Sequence, residues 1–231
     1  MDNNTIKLSG FKAVIFDMDG VFIDTEPLQF ETFRRVFGPL NIHLPDEYIY
    51  TFVGEPTQKN LEDISRDYQV ELDIPLYLEK MHNTFKEIFR QHDPDAQEGI
   101  WPVVEVAKQH NKKIALCTSS LKKEVGFIFA KIFAGNKVYN DLNELFDVIV
   151  TADQLTNKKP HPEPYLTACA KLGLPPDKCL VIEDSILGIR SAKDAGCFCA
   201  GLKKPYNRFL ESSRADVVYD NLLHLRENII I

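Results

Sequence analysis

Asp17 and Asp19 stand two residues apart at the end of the apolar run "FKAVIFDMDG", with Gly20 behind them and Asp24 just beyond. Neighbouring carboxylates at a strand end are costly to desolvate and repel one another, and a bound cation would offset both effects. Other polar groups close similar runs: Thr118, Ser119 and Ser120 follow "KIALC", Glu183, Asp184 and Ser185 follow "CLVI", and "KKPHPEPY" carries Lys158 and Lys159. Carboxylates without histidine or cysteine suit a hard cation, Mg²⁺ before Zn²⁺. A lysine and hydroxyl donors around a divalent ion suit a phosphoryl group, whose oxygens carry spread negative charge. Of two aspartates so spaced, one can attack phosphorus while its neighbour exchanges a proton with the leaving oxygen.

These groups need strands to carry them. Residues 11–17, 113–119, 146–152 and 178–184 are short apolar runs without polar alternation, as in parallel strands covered on both faces; 197–202 and 215–220 are weaker runs. Helix-period segments at 161–172 and 185–195 end at Gly173 and Gly196. Alternating strands and helices predict an α/β fold, a Rossmann-like, doubly wound, mostly parallel sheet. Ligands in such sheets bind beyond the carboxyl ends of the strands, so the polar ends above are expected to face one crevice.

The segment from 27 to about 92 has no convincing strand; Phe30, Phe33 and Phe37 recur at helical spacing, as do Ile74, Leu78, Met81, Phe85 and Phe89. It predicts an inserted helical domain whose aromatic stripes form its own core, left through the polar, turn-rich stretch 92–99. The expected division is a core of 1–25 plus 96–231 and a helical domain of 26–95.

The 231 residues are 44% hydrophobic and 26% charged, ordinary for a globular protein, with a formal net charge of −7. That charge argues against nucleic acid or an anionic membrane as the main partner, but leaves a small anionic substrate open. The five cysteines include no CxxC pair and read as buried free thiols of a reducing cytoplasm. Cys197 and Cys199 would share a strand face, yet no nearby histidine or second cysteine pair completes a metal site. No basic-then-apolar leader and no apolar run of about 20 residues is present, so a cytoplasmic location is expected. A monomer or weak homo-oligomer is expected.

"FDMDGVFIDTE", "TSS", "KKPHPEPY" and "VIEDSILGIRSAKDAG" resemble, in order, the four motifs of the haloacid dehalogenase superfamily, and the insert after the first is similar to its C1 cap. The resemblance covers roughly 9–25 and 100–220. It implies that Asp17 is a nucleophile forming an aspartyl-phosphate, and that Asp19 protonates the leaving group and then activates water. It implies Mg²⁺ held by Asp17, Asp184 and the backbone carbonyl of Asp19, with Glu183 a ligand or an acceptor behind the ligands. Thr118 would donate to a phosphate oxygen, with Ser119 beside it, and Lys159 would bridge phosphate and Asp17. Read without the resemblance, Thr118 is a helix cap, Ser119 and Ser120 are caps or groups that support the site from behind its direct contacts, Asp24 fixes the chain leading into the cap, Lys158 and His161 are surface and loop residues, and Trp101 packs where the chain re-enters the core.

C1-capped relatives include sugar phosphatases and β-phosphoglucomutases, and the cap separates them. The mutase branch carries a histidine where this chain has Gln29, and bases beside the cap-loop glycine where Val53 and Thr57 flank Gly54, with Lys59 the nearest base. These departures favour hydrolysis of a small phosphorylated metabolite such as a sugar phosphate, with Gly54, Glu55, Thr57 and Gln58 meeting its hydroxyls. A phosphomutase is the alternative, and a non-catalytic binding protein of the same fold a remote one.

Overall fold

The run that opens at Ala13 is buried along its whole length, and so are its two neighbours in space apart from the exposed Lys113 that opens one of them, which is why none of the three alternates in sequence. A computed structural model of the chain describes residues 5–92, 95–135, 138–207, 210 and 213–231. It forms two compact units, Met1–Asp24 with Asp95–Ile231, and Thr25–Pro94. Of the polar exit stretch, Asp93 and Pro94 lie outside the described residues.

In chain order the strands are β1 (Ile6–Lys7), β2 (Ala13–Phe16), β3 (Lys113–Cys117), β4 (Val148–Val150), β5 (Cys179–Glu183), β6 (Phe198–Leu202), β7 (Val217–Tyr219) and β8 (Ile229–Ile230). The helices are α1 (Glu26–Phe37), α2 (Asp46–Ile49), α3 (Thr57–Asp67), α4 (Ile74–His92), α5 (Ile100–Gln109), α6 (Lys122–Ala134), α7 (Leu142–Leu145), α8 (Glu163–Leu172), α9 (Ile186–Asp194) and α10 (Leu222–Glu227).

Six strands make one sheet in the order β4-β3-β2-β5-β6-β7, every pair parallel. The chain winds outward from β2 through β3 to β4, returns to β5 and winds the other way, so the switch point lies at the carboxyl end of β2. The sheet is thus the parallel α/β fold the sequence predicts. β1 and β8 form a separate two-stranded parallel sheet that sequence reading missed, because two residues leave no period to detect.

Register fixes what the site receives. Phe16 pairs with Leu116 on one side and Ile182 on the other, so the next row across the sheet is Asp17, Cys117 and Glu183. Because the side-chain period is two, that row shares a face with Ile15, Ala115 and Val181. This face packs against Tyr165, Ala168, Cys169 and Leu172 of α8 and Ile189 and Ala192 of α9. On the opposite face Phe16 meets Phe22, whose ring also lies against Trp101, Phe129 and Phe146. Trp101 therefore packs at the first turn of α5. The five cysteines are buried and free, and Cys197 meets Cys169, 3.8 Å sulfur to sulfur, across elements.

The second unit is built on α1, α3 and α4. Phe30, Phe33 and Phe37 are buried on α1, and Met81, Ile88 and Phe89 on α4. Phe33 contacts Phe52 and Phe37 stacks on Tyr77, so the aromatic stripes are the packing of this unit. Among the described residues no helix is long and apolar enough to cross a membrane.

Candidate active site

A lysine buried beside two acids is stable only if its three donors are all met. Lys159 Nζ donates to Asp17 Oδ1 at 2.7 Å, to Glu183 Oε1 at 2.7 Å and to the Cys117 carbonyl at 3.1 Å. Its partners are the three residues of one cross-strand row, so register alone delivers them. The Tyr165 ring centroid lies 5.0 Å from the same ammonium. Burial works to lower the Lys159 pKa, but Asp17 and Glu183 outweigh it and hold the group charged.

Glu183 is fully buried and committed. Oε1 accepts from Lys159 and from the Tyr165 hydroxyl at 2.9 Å; Oε2 accepts from the Asp184 and Ser185 amides and the Ser185 hydroxyl, each at 3.0 Å. Burial pushes its pKa up, yet Lys159 and these donors bring it below the usual carboxylate value. Of the two roles the sequence leaves open for Glu183, this bonding supports the second, an acceptor that braces Lys159 and the start of α9, while one of its oxygens also stands in an acid cluster with Asp17 and Asp184. Gly188 makes this possible, since a Cβ there would fall 1.7 Å from Glu183 Oε1.

Asp17 has fewer donors. It is 7% exposed, and burial, with Glu183 and Asp19 adding to it and Lys159 opposing, pushes its pKa up to about 7. One ligand oxygen each from Asp17, Glu183 and Asp184 lies within 4.8 Å of the others. Gly20 shapes this cluster: its φ of +79° is in the left-handed region, and a Cβ would stand 1.9 Å from Asp184 Oδ2. Hard oxygen donors, crowded and buried, fit a divalent cation such as Mg²⁺, and Asp17, Glu183 and Asp184 are the acids that carry them.

Thr118, buried at the end of β3, accepts from the Ser120 amide at 3.0 Å, so it turns the chain and does not cap α6, whose N-cap is Leu121. Ser120, which the sequence leaves as a cap or a supporting group, donates to Asp19 Oδ2 at 3.1 Å, in keeping with the second; Ser119 is exposed. Asp24 accepts from Tyr206 at 2.7 Å. Lys158 and His161 are exposed, and the His161 carbonyl accepts from Ser191. Lys204 is a second ammonium nearby; burial lowers its pKa against the pull of Asp24 and Asp184. Sequence reading assigned no role to Tyr165, Gly188, Lys204 and Asn207; Tyr165, at the end of the third motif, and Gly188, inside the fourth, carried a signal.

In the second unit, Gly54, Glu55, Thr57 and Gln58 gather where α3 begins. Glu55 pairs with Lys59 at 3.5 Å and Gln58 donates to Glu62 at 2.8 Å, so both are engaged along the helix. Asn60 Oδ1, also on α3, is buried without a hydrogen-bond partner among the described residues.

The sequence profile of haloacid dehalogenase-like hydrolases matches residues 14–202. The chain belongs to this family. A Thermotoga maritima protein named phosphorylated carbohydrates phosphatase is 33% identical over 80% of this chain and 82% of its own length. The Escherichia coli fructose-1-phosphate phosphatase YqaB is 30% identical over 80% and 93%. The crystal structure of CbbY from Rhodobacter sphaeroides in complex with phosphate superposes with a TM-score of 0.78 at 25% identity, over 93% of this chain and 96% of that one.

For this haloacid dehalogenase-like hydrolase, Gly20→Ala is expected to displace Asp184 and to lower melting stability by roughly 1–2 kcal/mol, the cost of a left-handed non-glycine residue. Thermal denaturation with and without Mg²⁺ checks it: any stabilisation by Mg²⁺ should be much smaller in the variant than in the parent. An unchanged response to Mg²⁺ would show that Asp184 has room to spare.

Proposed function

We propose that this chain is a Mg²⁺-dependent phosphatase that hydrolyses a small phosphorylated metabolite, a sugar phosphate, through an aspartyl-phosphate on Asp17. One observation carries the reading: the Asp17 carboxylate, held by Lys159, stands in the same buried cluster as Asp184. Asp17 attacks phosphorus and the ester oxygen leaves, taking a proton from Asp19. Asp19, oriented by Ser120, then removes a proton from the water that attacks the acyl phosphate, releasing phosphate and restoring Asp17. Lys159 opposes the burial that raises the Asp17 pKa and offsets charge on the transferring group, and Thr118 and Ser119 meet phosphate oxygens. Asp17, Asp184 and the Asp19 carbonyl would hold Mg²⁺, which would supply positive charge that favours ionised Asp17 and screens the phosphate from the acids.

In this reading the first unit carries the chemistry and the helical unit acts as a C1 cap that sets selectivity. Glu55, Thr57 and Gln58 suit sugar hydroxyls, and Gln29 and Val53 lack the basic character that a second phosphate would need. The names of the two phosphatase relatives point the same way.

The test is phosphate release from a panel of sugar phosphates with Mg²⁺ and with EDTA. Turnover that EDTA abolishes and Mg²⁺ restores is expected, with Thr57→Ala and Gln58→Ala changing relative rates among esters. Conversion of a hexose 1-phosphate to its 6-phosphate without free phosphate would replace hydrolysis by the mutase reading. No turnover of any ester would leave a binding protein.

A further inference from the structure

Four strand ends supply the groups so far described. A fifth lies beside them. β6 is registered against β5 with Gly201 opposite Glu183, so the segment leaving β6 passes next to Asp184. That segment, 203–207, is tied to the site at both ends of its turn. Asn207 Nδ2 donates to the Asp184 carbonyl at 2.8 Å and to the Leu202 carbonyl at 2.9 Å, while its Oδ1 accepts from the Lys204 amide at 2.7 Å. Tyr206 donates to Asp24.

Asp184 sits where β5 has ended and α9 has not begun, so neither ladder nor helix fixes its peptide groups. Its amide is taken by Glu183 Oε2 and its carbonyl by Asn207. With Gly20 against its carboxylate, the residue is held on three sides. A side chain pinned through both of its own backbone groups keeps its oxygens where a cation needs them, and loss of such a support typically weakens metal binding about 10- to 100-fold.

We propose that Asn207 is a positioning residue for the metal site, acting through the backbone of Asp184. The inference rests on Asp184 being a metal acid. Asn207 touches neither substrate nor ion; it sets the place of the acid that does. One planar amide binds the end of β6, the turn at Lys204 and the Asp184 carbonyl together, so the β6 connection and the metal acid are fixed as a unit.

The experiment is calorimetric titration of the full chain with MgCl₂, free of substrate, beside a Mg²⁺ titration of phosphate release. Asn207→Ala and the near-isosteric Asn207→Leu should raise the Mg²⁺ dissociation constant about 10- to 100-fold. The Mg²⁺ concentration for half-maximal rate should rise in step, and kcat at saturating Mg²⁺ should largely recover. Asn207→Gln, which keeps an amide on a longer stem, should fall between. Tyr206→Phe removes the neighbouring bond to Asp24 and should leave Mg²⁺ affinity at the parental value, separating the Asn207 contact from general loosening of the loop. Folded Asn207 variants that bind Mg²⁺ as the parent does would overturn the inference. A parent chain that takes up no Mg²⁺ would instead overturn the metal reading beneath it.

Discussion

Asp17→Asn is expected to abolish phosphate release, by about 10⁴-fold or more, while leaving the fold as stable as the parent or more so. The two effects have one cause. Asp17 is a carboxylate in a buried site with one strong partner, Lys159, and its pKa is pushed up to about 7 by that burial. Asparagine keeps the shape and removes both the nucleophile and the buried charge. The sign follows from proton linkage: the folded-state pKa lies above the unfolded value, so the folded metal-free chain binds the proton more tightly. Its contribution is fully present below about pH 4 and is lost as pH rises through about 7. Metal-free parent protein should therefore lose stability relative to Asp17→Asn across that window, and Mg²⁺ at pH 8 should stabilise the parent far more than the variant. Melting curves from pH 4 to 8, with and without Mg²⁺, read both. Equal pH slopes for the two proteins would show that Asp17 is not the group that burial strains, and residual phosphate release near the parental rate would remove it as nucleophile.

Lys159→Met should be the most destabilising single change in the site. It leaves Asp17 and Glu183 facing each other without the ammonium, in a cluster where Glu183 is fully buried. Removing one partner of a buried ion pair costs about 3–5 kcal/mol, because the orphaned charge stays behind. Activity should vanish as well, since Asp17 would be protonated over most of the working pH range. The loss should shrink at acid pH, where the carboxylates take up protons, and should shrink again in the double variant with Glu183→Gln, which restores stability but not activity. A double-mutant cycle by urea denaturation measures the coupling between the two positions. A coupling near zero would mean that the network is ornamental to the fold.

The sequence discloses strands well where the sheet covers both faces: Ala13–Phe16 and Cys179–Glu183 are unbroken apolar runs because nothing on either side is wet. It discloses the chemistry where a polar group ends such a run, as with Asp17, Thr118 and Asp184. It is silent where a residue acts from an ordinary-looking place. Tyr165 closes the third motif without a stated role, and only the fold shows its hydroxyl on Glu183. Asn207 is a lone amide in a loop, brought to Asp184 by the neighbouring strand. The choice between Ser119 and Ser120 depends on how the chain turns after β3, and adjacent serines carry no trace of that turn. The ligand-or-brace ambiguity at Glu183 has the same origin, since donors arriving from Tyr165, Lys159 and Ser185 cannot be counted before the chain is folded.

The row of Asp17, Cys117 and Glu183 also limits how genes for this protein can drift in length. One codon gained or lost inside β2 would turn every following side chain of that strand to the other face, exchanging the acid opposite Lys159 for its neighbour Phe16 or Met18. Extra residues in the turn between α8 and β5 would leave the row untouched. Insertions and deletions should therefore be lethal in the strand and tolerated in the turn, a contrast that a scanning library selected for activity would display.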